Sequence, residues 1–277
     1  MDLVRPDRRD RSERSGRRAN WHAKPMTRTA LITGATAGIG NAFARILAAR
    51  GTNLVLVSRT EDRLESVASD LRTKFGIEVE VLVADLAQTD GMNLVANRLS
   101  EAGRPIDLLV NNAGASLAGW FGTTDIADED RQLDLLVRAP MHLMDAAIKS
   151  MSGRGHGGII NVASVAAFTP RGAYSAHKAW LVNISQWANI HYADVGITVQ
   201  ALCPGFTRTE FHQRMGASID DVPRWMWLKT DPLVKASLKD LSKGKPISVP
   251  SLRYKVLAML SRHAPAGLVA KIAKRGR

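Results

Sequence analysis

A tyrosine and a lysine stand four residues apart in the segment YSAHK, as Tyr174 and Lys178. On a helix this spacing places both side chains on one face, so the ammonium lies towards the phenol. A free phenol has a pKa of about 10, and a nearby positive charge lowers that pKa by stabilising the phenolate. We therefore expect Tyr174 to serve as a proton donor or acceptor, although the same pair also occurs on ordinary surface helices.

Three glycines occupy the segment TGATAGIG at residues 33–40, between a predicted strand and a predicted helix. Glycine permits a positive φ and a close backbone approach, and the helix that follows offers free N–H groups and the positive end of its dipole. A simple tight turn would use glycines too. The position in the first strand-helix unit favours a site for the diphosphate of a dinucleotide.

The second predicted strand ends at Ser58 and Arg59, where an NAD-preferring enzyme of this architecture presents an acidic side chain to the ribose diol. The planar guanidinium of Arg59 can pair with a 2′-phosphate, so the sequence predicts NADP(H) in preference to NAD(H). The alternative is that Arg59 is a solvated loop residue. Asp85 and Leu86, after the third strand, are predicted to flank the adenine.

Short aliphatic runs alternate with helix-length amphipathic stretches from Arg28 onward, which indicates a parallel sheet with helices on both faces. The predicted strands are TALITG, NLVLVS, EVEVLVAD, IDLLVNN, GGIINVAS, ITVQALCP and PISVP. The predicted helices lie at 42–50, 61–74, 90–102, 127–151 and 172–194. We therefore predict a single α/β domain built on a doubly wound parallel sheet.

The composition is that of a globular protein, with 45% hydrophobic and 23% charged residues among 277. It contains no run of about 18 apolar residues, so we expect no membrane-spanning helix. One cysteine, Cys203, cannot form an internal disulfide, which favours a reducing compartment and predicts a cytoplasmic location. No spacing of His, Asp or Glu suggests a metal site.

The net charge of +12 belongs to the two ends of the chain. Residues 1–25 hold eight Lys or Arg against four acidic residues, and residues 251–277 hold seven Lys or Arg and no acid. The body at 26–250 is nearly balanced, which argues against specific nucleic-acid binding. We expect residues 1–25 to form a disordered basic extension, because they have almost no apolar periodicity.

The basic segment 251–277 also carries regularly placed apolar residues, which predicts an amphipathic helix. Such a helix can lie on an anionic membrane surface as a peripheral contact. It can equally dock on the body or on a second subunit with its charges solvated, and we expect docking.

Five motifs occur in a fixed order: TGATAGIG, then NNAG at 111–114, Ser164, Tyr174 with Lys178, and PGFTRT at 204–209. In that order they resemble the short-chain dehydrogenase/reductase family, over about residues 28–210. The resemblance implies a Rossmann-like fold, a nicotinamide cofactor, and reversible hydride transfer to a carbonyl carbon. It also implies a homodimer or homotetramer, with the helix at 172–194 as a contact.

The same resemblance assigns the site residues. Tyr174 would donate a proton to the carbonyl oxygen, Ser164 would hydrogen-bond that oxygen, and Lys178 would bind the nicotinamide ribose and lower the pKa of Tyr174. The predicted cofactor-binding residues are Thr33, Gly34, Thr36, Gly38, Ile39, Gly40, Ser58, Arg59, Asp85, Leu86, Asn112, Ala113, Gly114, Tyr174, Lys178, Pro204, Gly205, Thr207 and Thr209.

Large apolar side chains stand in the loops that follow the predicted strands, at Trp120, Phe168, Phe206 and Phe211. They predict a pocket for a hydrophobic ketone, aldehyde or acyl compound, with core packing as the alternative for each aromatic residue. His177 is interpreted as a residue of the substrate side or of an interface.

Two departures from the family pattern affect the predicted function. Leu136 stands where family members commonly have an asparagine, so a water-mediated proton relay from Lys178 is missing or rerouted. The connection from Ser164 to Tyr174 is also a few residues short. The sequence therefore predicts an NADP(H)-dependent oxidoreductase, with a low-turnover NADP(H)-binding sensor or scaffold as the alternative.

Overall fold

The computed structural model describes residues 28–210 and 222–263. Its strands are β1 Thr29–Thr33, β2 Asn53–Ser58, β3 Val79–Val83, β4 Leu108–Asn111, β5 Gly157–Val162, β6 Ile197–Leu202 and β7 Ile247–Ser248. Its helices are α1 Gly38–Ala48, α2 Glu61–Phe75, α3 Thr89–Ser100, α4 Ile126–Leu133, α5 Ala139–Arg154, α6 Ala173–His191, α7 Thr230–Leu241 and α8 Leu252–His263. A π-helical turn at Asp134–Arg138 joins α4 to α5, and short 3₁₀ segments lie at Val165–Phe168, Ala193–Val195 and Arg224–Met226.

The seven strands form one sheet in the order β3-β2-β1-β4-β5-β6-β7, with every neighbouring pair parallel. Alternate strand residues face opposite layers. Ile32 and Leu54 pack with α1, α2 and α7, whereas Leu31 and Val55 pack with α3, α5 and the end of α6. This three-layer arrangement confirms the predicted doubly wound α/β fold.

The strand order reverses between β1 and β4, because the chain runs outward from β1 to β3 and then returns to the other side of β1. Loops that leave the carboxyl ends of these two strands diverge and open a crevice between them. The glycine segment follows β1 and the NNAG motif follows β4, so both lie at this crevice.

The structure corrects several predicted boundaries. Helix α1 begins at Gly38, four residues before the predicted start, because the last two glycines of the TGATAGIG segment already belong to the helix. The helix predicted at 127–151 runs from Ile126 to Arg154 through the π-helical turn. The last strand is reduced to Ile247–Ser248.

The C-terminal segment packs against the body through α8, where Tyr254 and Ala258 are buried. This is the docking that the sequence predicts for that helix. Residues 1–25, predicted to be disordered, and residues 264–277 of the basic tail lie outside the described residues. Within 28–210 and 222–263, no helix is both long enough and apolar enough to cross a membrane.

Candidate active site

The glycine segment forms a bare backbone cradle at the amino end of α1. Gly34 and Gly38 have φ values of +65° and +56°, which side chains other than glycine rarely adopt. A β-carbon on Gly40 would lie 2.2 Å from the carbonyl oxygen of Gly34, so only glycine fits there. Ala37 offers no capping side chain, and the first turn of α1, all of which is described, holds no acidic residue. These features fit an anion such as a diphosphate.

Two side chains fix the cradle to β4. The Asn112 amide donates to the carbonyl oxygens of Thr33 and Gly34 at 2.9 and 3.1 Å. In return, the Thr33 hydroxyl accepts from the backbone N–H groups of Asn112 and Ala113, both at 2.9 Å. The polar atoms of Thr33 and Asn112 therefore shape the loop, a function that the sequence analysis did not predict. Thr36 and Ile39 complete the loop and are partly buried.

The segment after β6 reaches the same cradle. A β-carbon on Gly38 would lie 2.9 Å from the Cγ2 atom of Thr209, so these two predicted cofactor residues are in contact range. The Pro204 carbonyl accepts from the N–H of Val165, and the Thr207 hydroxyl donates to the Gly205 carbonyl at 2.9 Å. The loops after β1, β5 and β6 therefore converge.

A cluster of charges marks the carboxyl ends of β2 and β3. The Arg59 guanidinium is largely exposed and lies 4.0 Å from the Asp85 carboxylate. Arg131, from α4, donates to the same carboxylate at 2.8 Å, and the sequence analysis missed it because it comes from a distant part of the chain. Two cations on one carboxylate leave a positive surplus that suits an added phosphate. Ser58 ends β2 partly buried, whereas the Leu86 side chain lies in the core.

The predicted catalytic residues come together at the carboxyl end of β5. The Ser164 hydroxyl accepts from the Ala166 N–H at 3.1 Å, which fixes its place after the strand, and it hydrogen-bonds Tyr174. Tyr174 lies in the first turn of α6. One turn later, the buried Lys178 ammonium donates to the Val162 carbonyl at 2.8 Å and lies 5.7 Å from the centroid of the Tyr174 ring.

Burial dominates the acid-base properties of this group. It raises the pKa of Tyr174 to about 12, against a smaller lowering by the hydrogen bond with Ser164. It lowers the pKa of Lys178 to about 8, with Cys203 acting weakly in the opposite direction. Loss of water disfavours the charged form of both groups, so burial sets the net direction of both pKa shifts. The lowering of the Tyr174 pKa by Lys178 stays a prediction.

Leu136 occupies the π-helical turn and is fully buried. A β-carbon on Gly114 would lie 3.1 Å from Leu136 Cδ2 and 3.9 Å from Lys178 Nζ, so the leucine presents an apolar surface next to this amine. His177 is half-buried on another side of α6. Its Nδ1 atom has no hydrogen-bond partner among the described residues, and burial lowers its pKa.

The predicted substrate aromatics have different environments. Trp120 is 52% exposed in the loop after β4, and Phe168 packs partly against the cluster around α6. Phe206 lies 5.8 Å from Trp227, centroid to centroid, and Phe211 lies outside the described residues. In the described part of the chain, no group of three or more His, Cys, Asp or Glu residues is placed to hold a metal ion.

Comparisons with known proteins agree with this geometry. The family model described as short chain dehydrogenase matches residues 28–220. The chain is 30% identical to a very-long-chain 3-oxoacyl-CoA reductase from Bos taurus, over 88% of this chain and 78% of that protein. It superposes on a short-chain dehydrogenase from Sphingobium yanoikuyae in complex with NADPH with a TM-score of 0.78 and 34% identity, covering 88% and 95% of the two chains. A bulky-bulky ketone specific alcohol dehydrogenase from Comamonas testosteroni gives a TM-score of 0.74 and 33% identity, covering 88% and 94%.

Proposed function

This chain belongs to the short-chain dehydrogenase family, and we propose that it transfers a hydride between NADP(H) and the carbonyl or alcohol carbon of a hydrophobic substrate. One observation carries the proposal most directly: Ser164, Tyr174 and Lys178 meet at the carboxyl edge of the sheet that also bears the glycine cradle. A protein that only bound nucleotide would need the cradle but not this polar group.

The chain's own residues supply the proton chemistry. A bound reduced nicotinamide supplies the hydride to the carbonyl carbon. Tyr174 is protonated at neutral pH, since its pKa is about 12, and gives its proton to the carbonyl oxygen. Ser164 hydrogen-bonds that oxygen, and Lys178 offsets the charge left on the phenolate. The products are the alcohol and the oxidised cofactor, with Tyr174 then reprotonated from solvent.

We propose NADP(H) as the cofactor because of the charges at the adenine end of the crevice. Arg59 is exposed and available to a 2′-phosphate, and Arg131 adds a second positive charge at Asp85. Lys178 has further N–H groups beyond the one that Val162 accepts, and these suit the hydroxyls of a ribose. The NADPH complex of the Sphingobium relative supports the same choice.

We propose a bulky hydrophobic ketone or acyl compound as the substrate. Trp120, in the loop after β4, and Trp225, in the 3₁₀ segment Arg224–Met226, are 52% and 58% exposed. Exposed aromatic groups close to a binding site favour apolar ligands. The names of two relatives, a very-long-chain 3-oxoacyl-CoA reductase and a bulky-bulky ketone specific alcohol dehydrogenase, support this class.

A substrate panel tests the proposal. NADPH oxidation is followed by absorbance with diaryl ketones, long-chain 3-oxoacyl thioesters and acetone, for the wild type and for Tyr174→Phe. We expect turnover with the bulky compounds, at least tenfold less with acetone, and almost none in the variant. Tight NADPH binding with equal inertness of both proteins across the panel would instead favour the sensor or scaffold.

Two exposed apolar surfaces bear on partners. Trp187 and Ile190, on α6, are exposed, and we propose them as part of a contact in a homodimer or homotetramer. Leu257 and Met259 are exposed on α8 beside basic residues, which is compatible with a peripheral contact of a cytoplasmic protein with anionic membranes. Light scattering tests the first proposal, and sedimentation with anionic and neutral vesicles tests the second.

A further inference from the structure

Tyr254 joins the C-terminal helix to two segments between β6 and α7, residues 204–209 and 222–228. Its hydroxyl accepts from the Phe206 N–H at 3.1 Å and donates to the Met226 carbonyl at 2.8 Å. The side chain is only 3% exposed. One buried hydroxyl therefore bonds to both of these segments, from a position outside the 28–220 match to the family.

The ring of Tyr254 adds a second contact to the segment 204–209. A β-carbon on Gly205 would lie 2.0–2.3 Å from three ring carbons, so the ring rests directly on a glycine backbone. The neighbouring Arg253 donates to the carbonyls of Trp225 and Trp227. The first turn of α8 thus contacts both segments.

The two segments are also hydrogen-bonded to each other. Leu228 N–H donates to the Phe206 carbonyl at 2.8 Å, and Arg208 N–H donates to the Leu228 carbonyl at 3.1 Å. These two hydrogen bonds fix the separation of the two segments. Tyr254 and Arg253 add an attachment to α8, a helix that packs on the 3₁₀ segment after Ser164.

The segment that Tyr254 holds is the one that faces the cofactor crevice. Pro204 is bonded to Val165, next to Ser164, and Thr209 lies against Gly38 of the cradle. We propose that Tyr254 is a positioning residue, which sets the place of residues 204–209 and 222–228 and thereby the affinity for the carbonyl substrate. This inference rests on the proposed function for its kinetic part only.

The test uses Tyr254→Phe in the full chain, which keeps the ring on Gly205 and removes both hydrogen bonds. We expect KM for a bulky ketone to rise about fivefold and kcat to change less than twofold. The Kd of NADPH should rise by clearly less than KM, because residues 204–209 also face the cofactor cradle, which Gly34, Gly40 and Asn112 hold independently. Tyr192→Phe is the matched control, since it removes a tyrosine hydroxyl at the end of α6, and we expect it to leave all three constants unchanged.

Hydrogen exchange gives a second readout that needs no turnover. In Tyr254→Phe, we expect peptides covering 204–210 and 222–228 to exchange at least tenfold faster, with the cradle at 33–40 unchanged. If no substrate is turned over, the proposed function fails and exchange alone decides this inference. Unchanged exchange and KM would overturn it. A lower kcat, a higher KM, weaker NADPH binding and lower thermal stability, all changing together, would also overturn it, because they indicate a merely structural tyrosine.

Discussion

The nucleotide side and the substrate side of the crevice are built by different means. On the nucleotide side, the Gly34 to Gly40 cradle is locked by backbone sterics and by the amide of Asn112, and its parts lie at the ends of β1 and β4. On the substrate side, the segments 204–209 and 222–228 are hydrogen-bonded to Tyr254 and Arg253, which belong to a helix some 50 residues after β6. We therefore expect the first side to tolerate less change than the second.

We propose that this difference separates the chemistry common to the family from the specificity for the substrate. The cradle and the group of Ser164, Tyr174 and Lys178 depend on strands near the centre of the sheet. The aromatic loops depend on the edge of the sheet, where β7 has two residues, and on α8. We therefore expect substitutions on the nucleotide side to have the larger effects.

The largest effect should come from Gly40→Ala. The added methyl group would lie 2.2 Å from the Gly34 carbonyl and 2.5 Å from the Asn112 amide, which would displace the cradle. We expect NADPH affinity, measured by fluorescence titration, to fall at least about 100-fold. Gly153→Ala is the control: it lies in helix α5 with open space around it, and we expect normal binding and equal or higher stability.

Lys178→Met should lower kcat about 100-fold by removing the charge beside Tyr174.

The same variant should differ from the wild type in how its free energy of unfolding depends on pH. Since burial lowers the pKa of Lys178 from 10.5 to about 8, the unfolded chain binds more protons than the folded chain between these pH values. The wild-type free energy of unfolding, compared with that of the variant, should therefore rise from pH 8 to 10.5.

Urea titrations of both proteins across this range measure the effect. A difference between wild type and variant that stays constant with pH would contradict the burial of a destabilised ammonium at this position. A difference that falls with rising pH would mean that the folded protein raises the lysine pKa instead.

Arg59→Gln should have a smaller and selective effect. Loss of one charge-assisted contact with a 2′-phosphate should raise the Kd of NADPH about tenfold and leave the Kd of NADH within twofold. Arg50→Gln is the control, because this exposed arginine follows the carboxyl end of α1, whereas the cradle lies at the amino end of that helix. Equal losses for the two cofactors would refute a role of Arg59 in their discrimination.

The smallest effect on turnover should come from Leu136→Asn. If the chain already reprotonates Tyr174 by a path that avoids residue 136, kcat should change less than threefold. Stability should fall, because an amide would replace a fully buried leucine. A tenfold or larger increase in kcat would show that the leucine limits proton supply, contrary to this account.

Most of the fold and the centre of the site follow from local sequence patterns. The strand β1 and the glycine segment lie next to each other in the chain, so their spacing already predicted a strand, a cradle and a helix. The pair of Tyr174 and Lys178 was predictable for the same reason, because helix geometry alone brings residues four apart together.

Other features depend on tertiary contacts that no local pattern encodes. Arg131 reaches Asp85 from α4, and Tyr254 reaches Phe206 across 48 residues. The rise in the pKa of Tyr174 by burial was not predictable, because the spacing of charges shows nothing about how much water the fold removes. Helix α1 begins earlier than predicted because glycine, a weak helix former, starts it where backbone contacts require glycine.

Transfer of deuterium from NADPH deuterated twice at C4 of the nicotinamide tests the central claim most directly. Wild-type protein is incubated with this cofactor and a bulky ketone, and mass spectrometry locates deuterium in the alcohol, with Tyr174→Phe run in parallel. We predict one deuterium on the carbinol carbon for the wild type, and a rate about 1,000-fold lower in the variant with NADPH affinity within twofold. An alcohol without deuterium, or equal transfer rates in the two proteins, would contradict the assignment of Tyr174 as the proton donor beside a bound nicotinamide.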